Sequence, residues 1–226
     1  ANTKVASSDG ELAKIYPLPL WEGKALLMLR EILEELKEEF GAFESVGAVF
    51  TGELADRFRS REEGLITLRN LVMDVFDDCQ FLAIDGRVTK GNEGLPGDFF
   101  ATNFLASCLY LRKTFPDSLF ADIGSTTTDL IPIVGGIVKY GQSDLERLMC
   151  DQLIYSGMLR TSLPAIIKDV TLRGKKCRVA SELFSVTGDV YLVLGMLENA
   201  DYTSNPPDAY VYKDEGDARS RRACLS

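Results

Sequence analysis

The 226 residues of this sequence include no histidine. This absence excludes a Ser-His-Asp triad, histidine ligands for a metal ion and a histidine general base. Acid–base or metal-binding chemistry in this chain must therefore come from side chains other than histidine.

Cysteine is sparse and unpaired in the sequence. The cysteines are odd in number and never form a Cys-x-x-Cys motif, which argues against a disulfide framework or a zinc site and favours reduced thiols. They are Cys79, Cys108, Cys150, Cys177 and Cys224.

Long apolar runs are also missing. No stretch approaches the roughly 18 residues of a membrane helix. The first residues show no basic segment followed by an apolar one. The sequence therefore predicts a cytoplasmic location without a membrane partner.

Basic residues are fewer than acidic residues in the sequence. The chain has 25 Lys and Arg against 34 Asp and Glu, a net charge of −9. An acidic surface argues against nucleic acid as a partner. A phosphorylated ligand would need local hydrogen-bond donors or a metal ion to offset this field.

Apolar sequence, in contrast, is sufficient for a sizeable core. Hydrophobic residues make up 46% of the chain and charged residues 26%. This balance and length favour one domain or two closely joined lobes.

Residues 121–133 are the most informative stretch. Asp122 and Asp129 stand on either side of small residues, and apolar residues flank both acids. The small residues include Gly124, Ser125, Thr126 and Thr127. β-branched residues around a glycine predict two strands joined by a tight turn.

The chemistry of this turn suits a phosphate that is bound together with Mg²⁺. A glycine beside short hydroxyl side chains lets backbone N–H groups approach an anion closely. Asp122 and Asp129 would repel a bare phosphate, but they can hold a divalent cation that arrives with it. The alternative is a threonine-rich hairpin whose two acids are solvated.

Helices and strands alternate in the first half of the predicted fold, which is α/β. Leucines at three- and four-residue spacing predict a helix over residues 23–40. The apolar run 46–50 predicts a buried parallel strand. A capping box at Ser60 begins a helix that extends to about Phe76, and a further strand is predicted at 80–84.

Glu53 follows the carboxyl end of the predicted strand at residues 46–50. Ligands gather at such strand ends in open α/β sheets. Glu53 is therefore a candidate catalytic residue, and Thr51 and Asp56 are candidates beside it. The alternative is that these side chains cap local structure.

Residues 90–97 are predicted to form a loop because they are rich in glycine. They lack the Walker spacing of a phosphate loop, which favours a mobile lid or a linker. Asp98 is predicted to cap a helix over residues 99–114, in which Asn103 lies among aromatic residues. A buried amide at this position would need hydrogen-bond partners.

A second capping box, at Ser143, predicts a helix over residues 143–154, and a polar loop follows it. In this loop Ser156 and Gly157 are candidates to bind an oxyanion. Arg160 is a candidate to pair with a phosphate or carboxylate, with a surface salt bridge as the alternative.

The last third of the chain is predicted to hold a β-hairpin over residues 166–184 and a helix over residues 189–196. Glu182, near the end of the hairpin, is predicted to face a cleft. Residues 201–214 are predicted to be a loop.

These residues carry a resemblance to a known family. Residues 122–129, Asp-Ile-Gly-Ser-Thr-Thr-Thr-Asp, resemble the second phosphate motif of the actin-like ATPase superfamily, in its hydantoinase A/oxoprolinase branch. The opening Ala-Asn-Thr-Lys resembles the end of that branch's first phosphate hairpin. With residues 52–56, Asn103 and residues 155–157, the chain is similar to one-carbon-pathway proteins that include the ether-forming synthases of methanofuran biosynthesis.

The resemblance implies an actin-like, ribonuclease-H-like fold with two related lobes, each a mixed sheet flanked by helices. The lobes would comprise residues 1–117 and 118–226, with the hairpin inserted in the second. A strand-turn-strand plan at residues 4–16 repeats from residue 119 onward, which fits one phosphate hairpin per lobe. The first strand of the first hairpin is expected upstream of residue 1.

The resemblance also implies a reaction. A furan-methyl diphosphate would condense with the phenol oxygen of γ-glutamyltyramine, with Mg²⁺ as cofactor and pyrophosphate as leaving group. Asp122 and Asp129 would hold the metal ion, and Asp122, Glu53 and Glu182 would be catalytic, the two glutamates as candidates to accept the phenol proton. Phosphate contacts would come from Asn2, Thr3, Lys4 and the turn of residues 124–127. Substrate contacts would come from Asn103, Ser156, Gly157 and Arg160.

Two other functions remain open from the sequence. An ATP-dependent hydantoinase or kinase-like enzyme would need an adenosine pocket, for which the sequence shows no segment. A nucleotide-switched protein without catalysis is the other. In each case the partner is a small phosphorylated molecule, and a homodimer stays open.

Overall fold

A computed structural model of the protein describes residues 2–18, 20, 23–41, 44–55, 57–181 and 185–198. Within these residues the fold is α/β with mixed sheets, as the sequence predicts. The strands are β1 (Asn2–Ala6), β2 (Ala13–Pro17), β3 (Val46–Ala48), β4 (Cys79–Leu82), β5 (Val88–Lys90), β6 (Ser118–Ile123), β7 (Thr128–Val134), β8 (Ile137–Val138), β9 (Leu153–Ile154), β10 (Asp169–Leu172) and β11 (Lys175–Arg178). The helices are α1 (Ala25–Phe40), α2 (Arg61–Val75), α3 (Asn103–Leu111), α4 (Asp144–Met149), α5 (Leu163–Ile166), α6 (Thr187–Val193) and a 3₁₀ helix at Pro96–Phe99.

The chain divides into two compact units. Unit 1 comprises Ala1–Phe120 and Ile131–Gln142, and unit 2 comprises Ala121–Leu130 and Ser143–Ser226. The division into two lobes at residues 117 and 118 stays a prediction.

Unit 1 combines parallel and antiparallel strand pairing. β3 pairs with β4 in parallel, as predicted, but it covers only Val46–Ala48 and is half-buried to exposed rather than buried. β4 pairs with β5 antiparallel. β1 and β2 form an antiparallel hairpin. The leucine stripe of α1 is buried against this framework, as its spacing predicts. Each buried leucine stabilises the fold by about 1.5–3 kcal/mol.

A second apolar cluster in unit 1 fixes the end of β7. Phe104, Leu105 and Cys108 of α3 pack on Ile131 and Ile133 of β7, and all five are buried. β8 pairs with β7 at Ile133 and Val134. This packing anchors the strand that leaves the polar turn at residues 124–127.

Both predicted capping boxes are confirmed at their serines. The Ser60 hydroxyl accepts a hydrogen bond from the backbone N–H of Glu63 at 3.1 Å, and α2 follows. The Ser143 hydroxyl accepts one from Glu146 at 3.2 Å, and α4 follows.

The predicted helix over residues 99–114 is wrong at its start. Asp98 instead accepts a hydrogen bond from the backbone N–H of Leu95 and closes the 3₁₀ helix. Ala101 then adopts a left-handed backbone with φ of 50°, which no α-helix continues through. The α-helix begins only at Asn103.

The predicted helix over residues 143–154 is wrong at its end. α4 stops at Met149, and Asp151 has a left-handed φ of 55°. Leu153 and Ile154 then form β9, which pairs antiparallel with β7 at Asp129 and Thr128. Strand pairing to a distant part of the chain therefore takes residues that local periodicity assigns to the helix.

The predicted hairpin is confirmed with a narrower span. β10 and β11 pair antiparallel around a turn at Arg173 and Gly174. Glu182, Asp56 and residues 199–226 lie outside the described residues. None of the described helices combines the length and apolar composition needed to span a membrane.

Candidate anion-binding site

The polar turn of residues 124–127 joins β6 to β7 in unit 2. Gly124 donates its backbone N–H to the Thr127 carbonyl at 2.8 Å, which closes the turn. Within the described part of the chain, no acceptor takes the backbone N–H groups of Ser125, Thr126 or Thr127. A tight turn with successive open N–H groups is suited to bind an anion.

Two carbonyl groups of the turn accept hydrogen bonds from the backbone of residues 158–160. Met158 donates its N–H to the Gly124 carbonyl at 2.9 Å, and Leu159 and Arg160 donate to the Ser125 carbonyl at 3.0 and 2.9 Å. The carbonyl oxygens of Gly124, Ser125 and Thr127, which would repel an anion, therefore accept hydrogen bonds within the protein, whereas three successive N–H groups stay open.

Gly157 packs directly against the backbone of the turn. A Cβ atom at this position would lie 2.7 Å from the Gly124 oxygen and 2.7 Å from the carbonyl carbons of Ser125 and Thr126. Such distances are too short for any carbon side chain, so only glycine allows this approach.

Two threonine hydroxyls hold Gly157 in place. Its N–H donates to the Thr161 hydroxyl at 2.7 Å, and its carbonyl accepts from the hydroxyls of Thr161 at 3.0 Å and Thr187 at 3.1 Å. The Ser156 carbonyl accepts from the Thr128 hydroxyl at 2.7 Å. Gly157 thus packs against the backbone of the turn, and its N–H already donates to the Thr161 hydroxyl. Binding of an oxyanion by Ser156 and Gly157 stays a prediction.

Asp129 and Arg147 form a buried ion pair beside the turn. Arg147 Nη1 lies 2.6 Å from Asp129 Oδ1, and its Nη2 lies 2.8 Å from Asp144 Oδ1. Burial raises the pKa of Asp129, the Arg147 guanidinium partly offsets this, and the negative charge of Asp122 raises the pKa further. The electrostatic repulsion between the carboxylates of Asp122 and Asp129 would weaken if a cation bound between them.

The residues present fit Mg²⁺ only together with a phosphate. No three His, Cys, Asp or Glu side chains in the described ranges come together as a metal centre on their own. Magnesium is usually held by one or two carboxylates and by phosphate oxygens. Asp122, half-buried before the turn, and Asp129 would hold it, while the open N–H groups take the phosphate.

Arg160 belongs to the same region. Its backbone donates to the turn, and burial lowers the pKa of its guanidinium because the charged form is desolvated. Its pairing with a phosphate or carboxylate of the ligand stays a prediction.

Glu53 occupies a different environment, in unit 1. It is 1% exposed, its Oε1 lies 3.0 Å from Arg61 Nη2, and the same oxygen accepts the N–H of Ala101 at 3.0 Å. Its Oε2 is buried without a hydrogen-bond partner among the described residues. Glu53 therefore supports the left-handed backbone at Ala101, and one of its oxygens remains able to accept a proton or hydrogen bond.

The other predicted contacts are also in unit 1. Asn2, Thr3 and Lys4 lie in β1, opposite Pro17, Tyr16 and Ile15 of β2. Asn103 is the half-buried first residue of α3. Their roles as phosphate and substrate contacts stay predictions.

Sequence reasoning missed the residues that act through distant contacts. Arg147 lies 18 residues from Asp129, and Thr187 lies 30 residues from Gly157. Thr161 is only four residues from Gly157, but no local motif marks any of the three. Glu53 and Arg61 are eight residues apart, but no sequence motif marks them as an ion pair.

Comparison with known proteins assigns the family. A model of the hydantoinase/oxoprolinase family matches residues 44–224. A protein of Methanocaldococcus jannaschii is 34% identical over 215 residues, which are 92% of this chain and 63% of that protein. A protein of Methanococcus vannielii is 43% identical over 90 residues, 40% of each chain. Both relatives are named (4-{4-[2-(gamma-L-glutamylamino)ethyl]phenoxymethyl}furan-2-yl)methanamine synthase.

The match to the family model covers most of the chain, including the turn, the Gly157 loop and Glu53. The chain spans less than two thirds of the length of the Methanocaldococcus jannaschii protein. The chain belongs to the hydantoinase/oxoprolinase family.

Proposed function

We propose that this chain is part of a transferase that forms an aryl ether in methanofuran biosynthesis. The observation that carries the proposal is the turn of residues 124–127, where three backbone N–H groups are open beside Asp122. The names of the two relatives support the choice of reaction, because their product contains a phenoxymethyl-furan ether and a γ-glutamylamino group.

The reaction joins two substrates at one carbon. The phenol oxygen of γ-glutamyltyramine attacks the methylene carbon of a furan-methyl diphosphate, the new C–O bond forms, and the bond to the diphosphate oxygen breaks. Pyrophosphate leaves with the bonding electrons, and the phenol loses its proton. The departing charge develops on oxygen atoms, which open backbone donors stabilise.

The turn would bind the diphosphate through the N–H groups of Ser125, Thr126 and Thr127. Asp122 and Asp129 would hold Mg²⁺, which supplies positive charge to neutralise the leaving group. Arg160 would add a further cation. Little base strength is needed for such a step, which is compatible with a sequence without histidine.

The phenol proton is proposed to pass to a carboxylate. Glu53 has one oxygen without a partner among the described residues, but that oxygen is covered in the described conformation. Glu182 is the second candidate and lies outside the described residues.

We extend the proposal to the fold. The α/β architecture, the family match and the two strand-turn-strand hairpins support an actin-like arrangement of two related lobes. In that arrangement β1 with β2 and β6 with β7 would each contribute one phosphate hairpin. Cytoplasmic location and a homodimer stay predictions from the sequence.

The direct test is product formation. The protein that contains this chain is incubated with furan-methyl diphosphate, γ-glutamyltyramine and Mg²⁺, and the ether and pyrophosphate are measured by mass spectrometry. Formation of both in equal amounts supports the reaction. If the diphosphate binds but no ether forms, the proposed reaction is rejected and the anion-binding site is retained.

The metal role is tested separately by Asp122→Asn. The variant is expected to lose Mg²⁺-dependent turnover while its thermal unfolding midpoint stays close to that of the wild type. Turnover with unchanged dependence on Mg²⁺ concentration would contradict the role given to Asp122.

The family name keeps a second candidate in view, an ATP-dependent hydantoinase or oxoprolinase reaction. Protection from proteolysis by Mg-ATP, but not by pyrophosphate, would favour it. A nucleotide-switched protein without catalysis would instead change conformation with nucleotide and show no turnover.

A further inference from the structure

Arg147 joins two carboxylates of unit 2 that come from different elements. Its Nη1 atom donates to Asp129 Oδ1 on β7 at 2.6 Å, and its Nη2 atom donates to Asp144 Oδ1 at the start of α4 at 2.8 Å. Arg147 is 3% exposed, and the side chain of Asp129 is 11% exposed. A planar guanidinium that donates to two carboxylates is held in one orientation, and it orients both carboxylates in turn.

The backbone also fixes the position of Arg147 relative to Asp129. Asp144 and Arg147 are three residues apart on α4 and therefore share one face of the helix. The Arg147 carbonyl accepts the N–H of Gln152 at 2.8 Å, and the Gln152 carbonyl accepts the N–H of Leu130 at 2.9 Å. Leu130 follows Asp129 on β7, so the guanidinium approaches Asp129 from a backbone that is bonded to the same strand.

The two oxygen atoms of Asp129 are consequently not equivalent. Oδ1 accepts the hydrogen bond from Arg147, whereas Oδ2 accepts none within the described part of the chain. The negative charge of Asp122, on the strand before the turn, also acts on Asp129. The arrangement therefore leaves one oxygen of Asp129 for a cation that the two carboxylates would share.

We propose that Arg147 is a positioning residue of the diphosphate site, which holds Asp129 so that Oδ2 is presented to the Mg²⁺ that accompanies the diphosphate. The inference rests on the proposed function, in which Asp122 and Asp129 hold that ion. Magnesium requires near-octahedral geometry, so it depends on the orientation of its few protein ligands. Loss of a residue that orients a metal ligand typically weakens metal affinity about 10–100-fold.

Binding of pyrophosphate to the protein that contains this chain tests the role without turnover. Calorimetry gives the dissociation constants of pyrophosphate in EDTA and of its Mg²⁺ complex, and their ratio is the affinity gain due to the metal ion. Arg147→Lys keeps the charge but donates from a single nitrogen, so this gain is expected to fall at least ~10-fold. The affinity in EDTA depends on the backbone donors of the turn and should stay within about threefold.

Calcium provides a second readout, which general damage to the fold would not produce. Ca²⁺ accepts one or both oxygens of a carboxylate in flexible geometry, whereas Mg²⁺ does not. Arg147→Lys should therefore lower the gain from Mg²⁺ more than the gain from Ca²⁺. Equal losses with both ions, or an equal loss of affinity in EDTA, would make the role of Arg147 purely structural and overturn the proposal.

Asp144 tests the same geometry without any change to Arg147. Asp144→Asn and Asp144→Ala both remove the charge, but only the asparagine keeps an oxygen that can accept from Arg147. Asp144→Asn should therefore retain more of the Mg²⁺ gain than Asp144→Ala, and equal gains would overturn the proposal. Arg30→Lys is the matched control, because Arg30 also lies near two carboxylates, Glu34 at 3.7 Å and Asp74 at 2.7 Å, on the exposed surface of unit 1. This control should change neither affinity.

The outcomes separate this inference from the proposed reaction. If the Mg²⁺ gain is lost in Arg147→Lys and the wild type forms no ether, the positioning role is supported and only the reaction is rejected. If the gain is unchanged in Arg147→Lys while the wild type forms ether, the positioning role is overturned and the reaction is retained. Absence of any Mg²⁺ gain in the wild type would overturn the role of Arg147 together with the metal role of Asp122.

Discussion

Each of the two units buries a carboxylate against an arginine, and the two pairs have different roles. In unit 2 the Asp129–Arg147 pair lies beside a turn whose backbone donors are open. In unit 1 the Glu53–Arg61 pair holds the left-handed backbone at Ala101. The pair in unit 2 thus adjoins backbone donors, whereas the pair in unit 1 fixes a backbone conformation through side chains. Substitutions that break each pair should therefore have different consequences.

The largest effect on stability is expected at the pair in unit 2. Arg147 is 3% exposed, so Arg147→Met leaves Asp129 buried without its counter-ion and should lower the free energy of unfolding by about 3–5 kcal/mol. The side chain of Arg61 is 24% exposed, so Arg61→Met should cost less. Urea unfolding of both variants measures the difference. Equal losses would show that the two pairs are equivalent, and Arg147→Met/Asp129→Leu should recover stability.

The largest effect on activity is expected at Gly157. Gly157→Ala places a carbon 2.7 Å from the turn backbone and moves its donors, so kcat/KM for the diphosphate should fall about 10²–10³-fold, as when an oxyanion donor is lost. Gly23→Ala is the matched control, because a Cβ there meets nothing within 4 Å. Unchanged kinetics of Gly157→Ala would mean that the shape of the turn does not govern binding.

A smaller effect is expected at Thr161. Thr161→Val keeps the shape of the side chain but removes both hydrogen bonds to Gly157, at a cost of about 1–3 kcal/mol for the unsatisfied groups. Pyrophosphate affinity should weaken by roughly tenfold, and Thr161→Ser should restore it. Calorimetry measures both. Weak binding in Thr161→Ser as well would indicate that packing of the methyl group, rather than the hydroxyl, holds the loop.

The smallest effect concerns pH. The folded-state pKa of Asp129 is raised above its ordinary value of 3.8, so the folded protein holds this proton more tightly than the unfolded chain does. The contribution of Asp129 to stability is present below pH 3.8 and is lost as pH rises through the folded pKa. As pH rises, the free energy of unfolding of the wild type should therefore fall relative to that of Asp129→Asn. An opposite slope would mean that Arg147 outweighs burial.

The sequence predicted the parts of the fold that depend on neighbouring residues, such as helix faces and helix caps. The leucine stripe of α1 and the serine caps of α2 and α4 follow from residues within one or two turns of helix. The start of α3 and the end of α4 were wrong because left-handed residues at 101 and 151 break the periodicity. Nothing in the neighbouring sequence of Ala101 reveals that Glu53, 48 residues earlier, bonds its N–H.

The candidate site likewise has a part that neighbouring residues predict and a part that depends on distant contacts. The turn at residues 124–127 could be predicted because glycine and hydroxyl residues mark it in one short motif. Its support by Gly157 and Thr187 could not, because the contacts of Gly157 with the turn and with Thr187 join segments about 30 residues apart. The sequence indicates Gly157 as a candidate to bind an oxyanion, whereas the structure shows that close packing against the turn requires a glycine there.

The hydrogen bonds from Met158, Leu159 and Arg160 to the turn have a consequence for the thermodynamics of binding. A free loop must lose conformational entropy when it closes around an anion, and that loss weakens the complex. Here the turn is fixed before any ligand arrives, so most of that entropy is lost during folding instead. Binding of pyrophosphate should then show a small entropic penalty, and the rate of association should be limited by diffusion and charge rather than by loop closure.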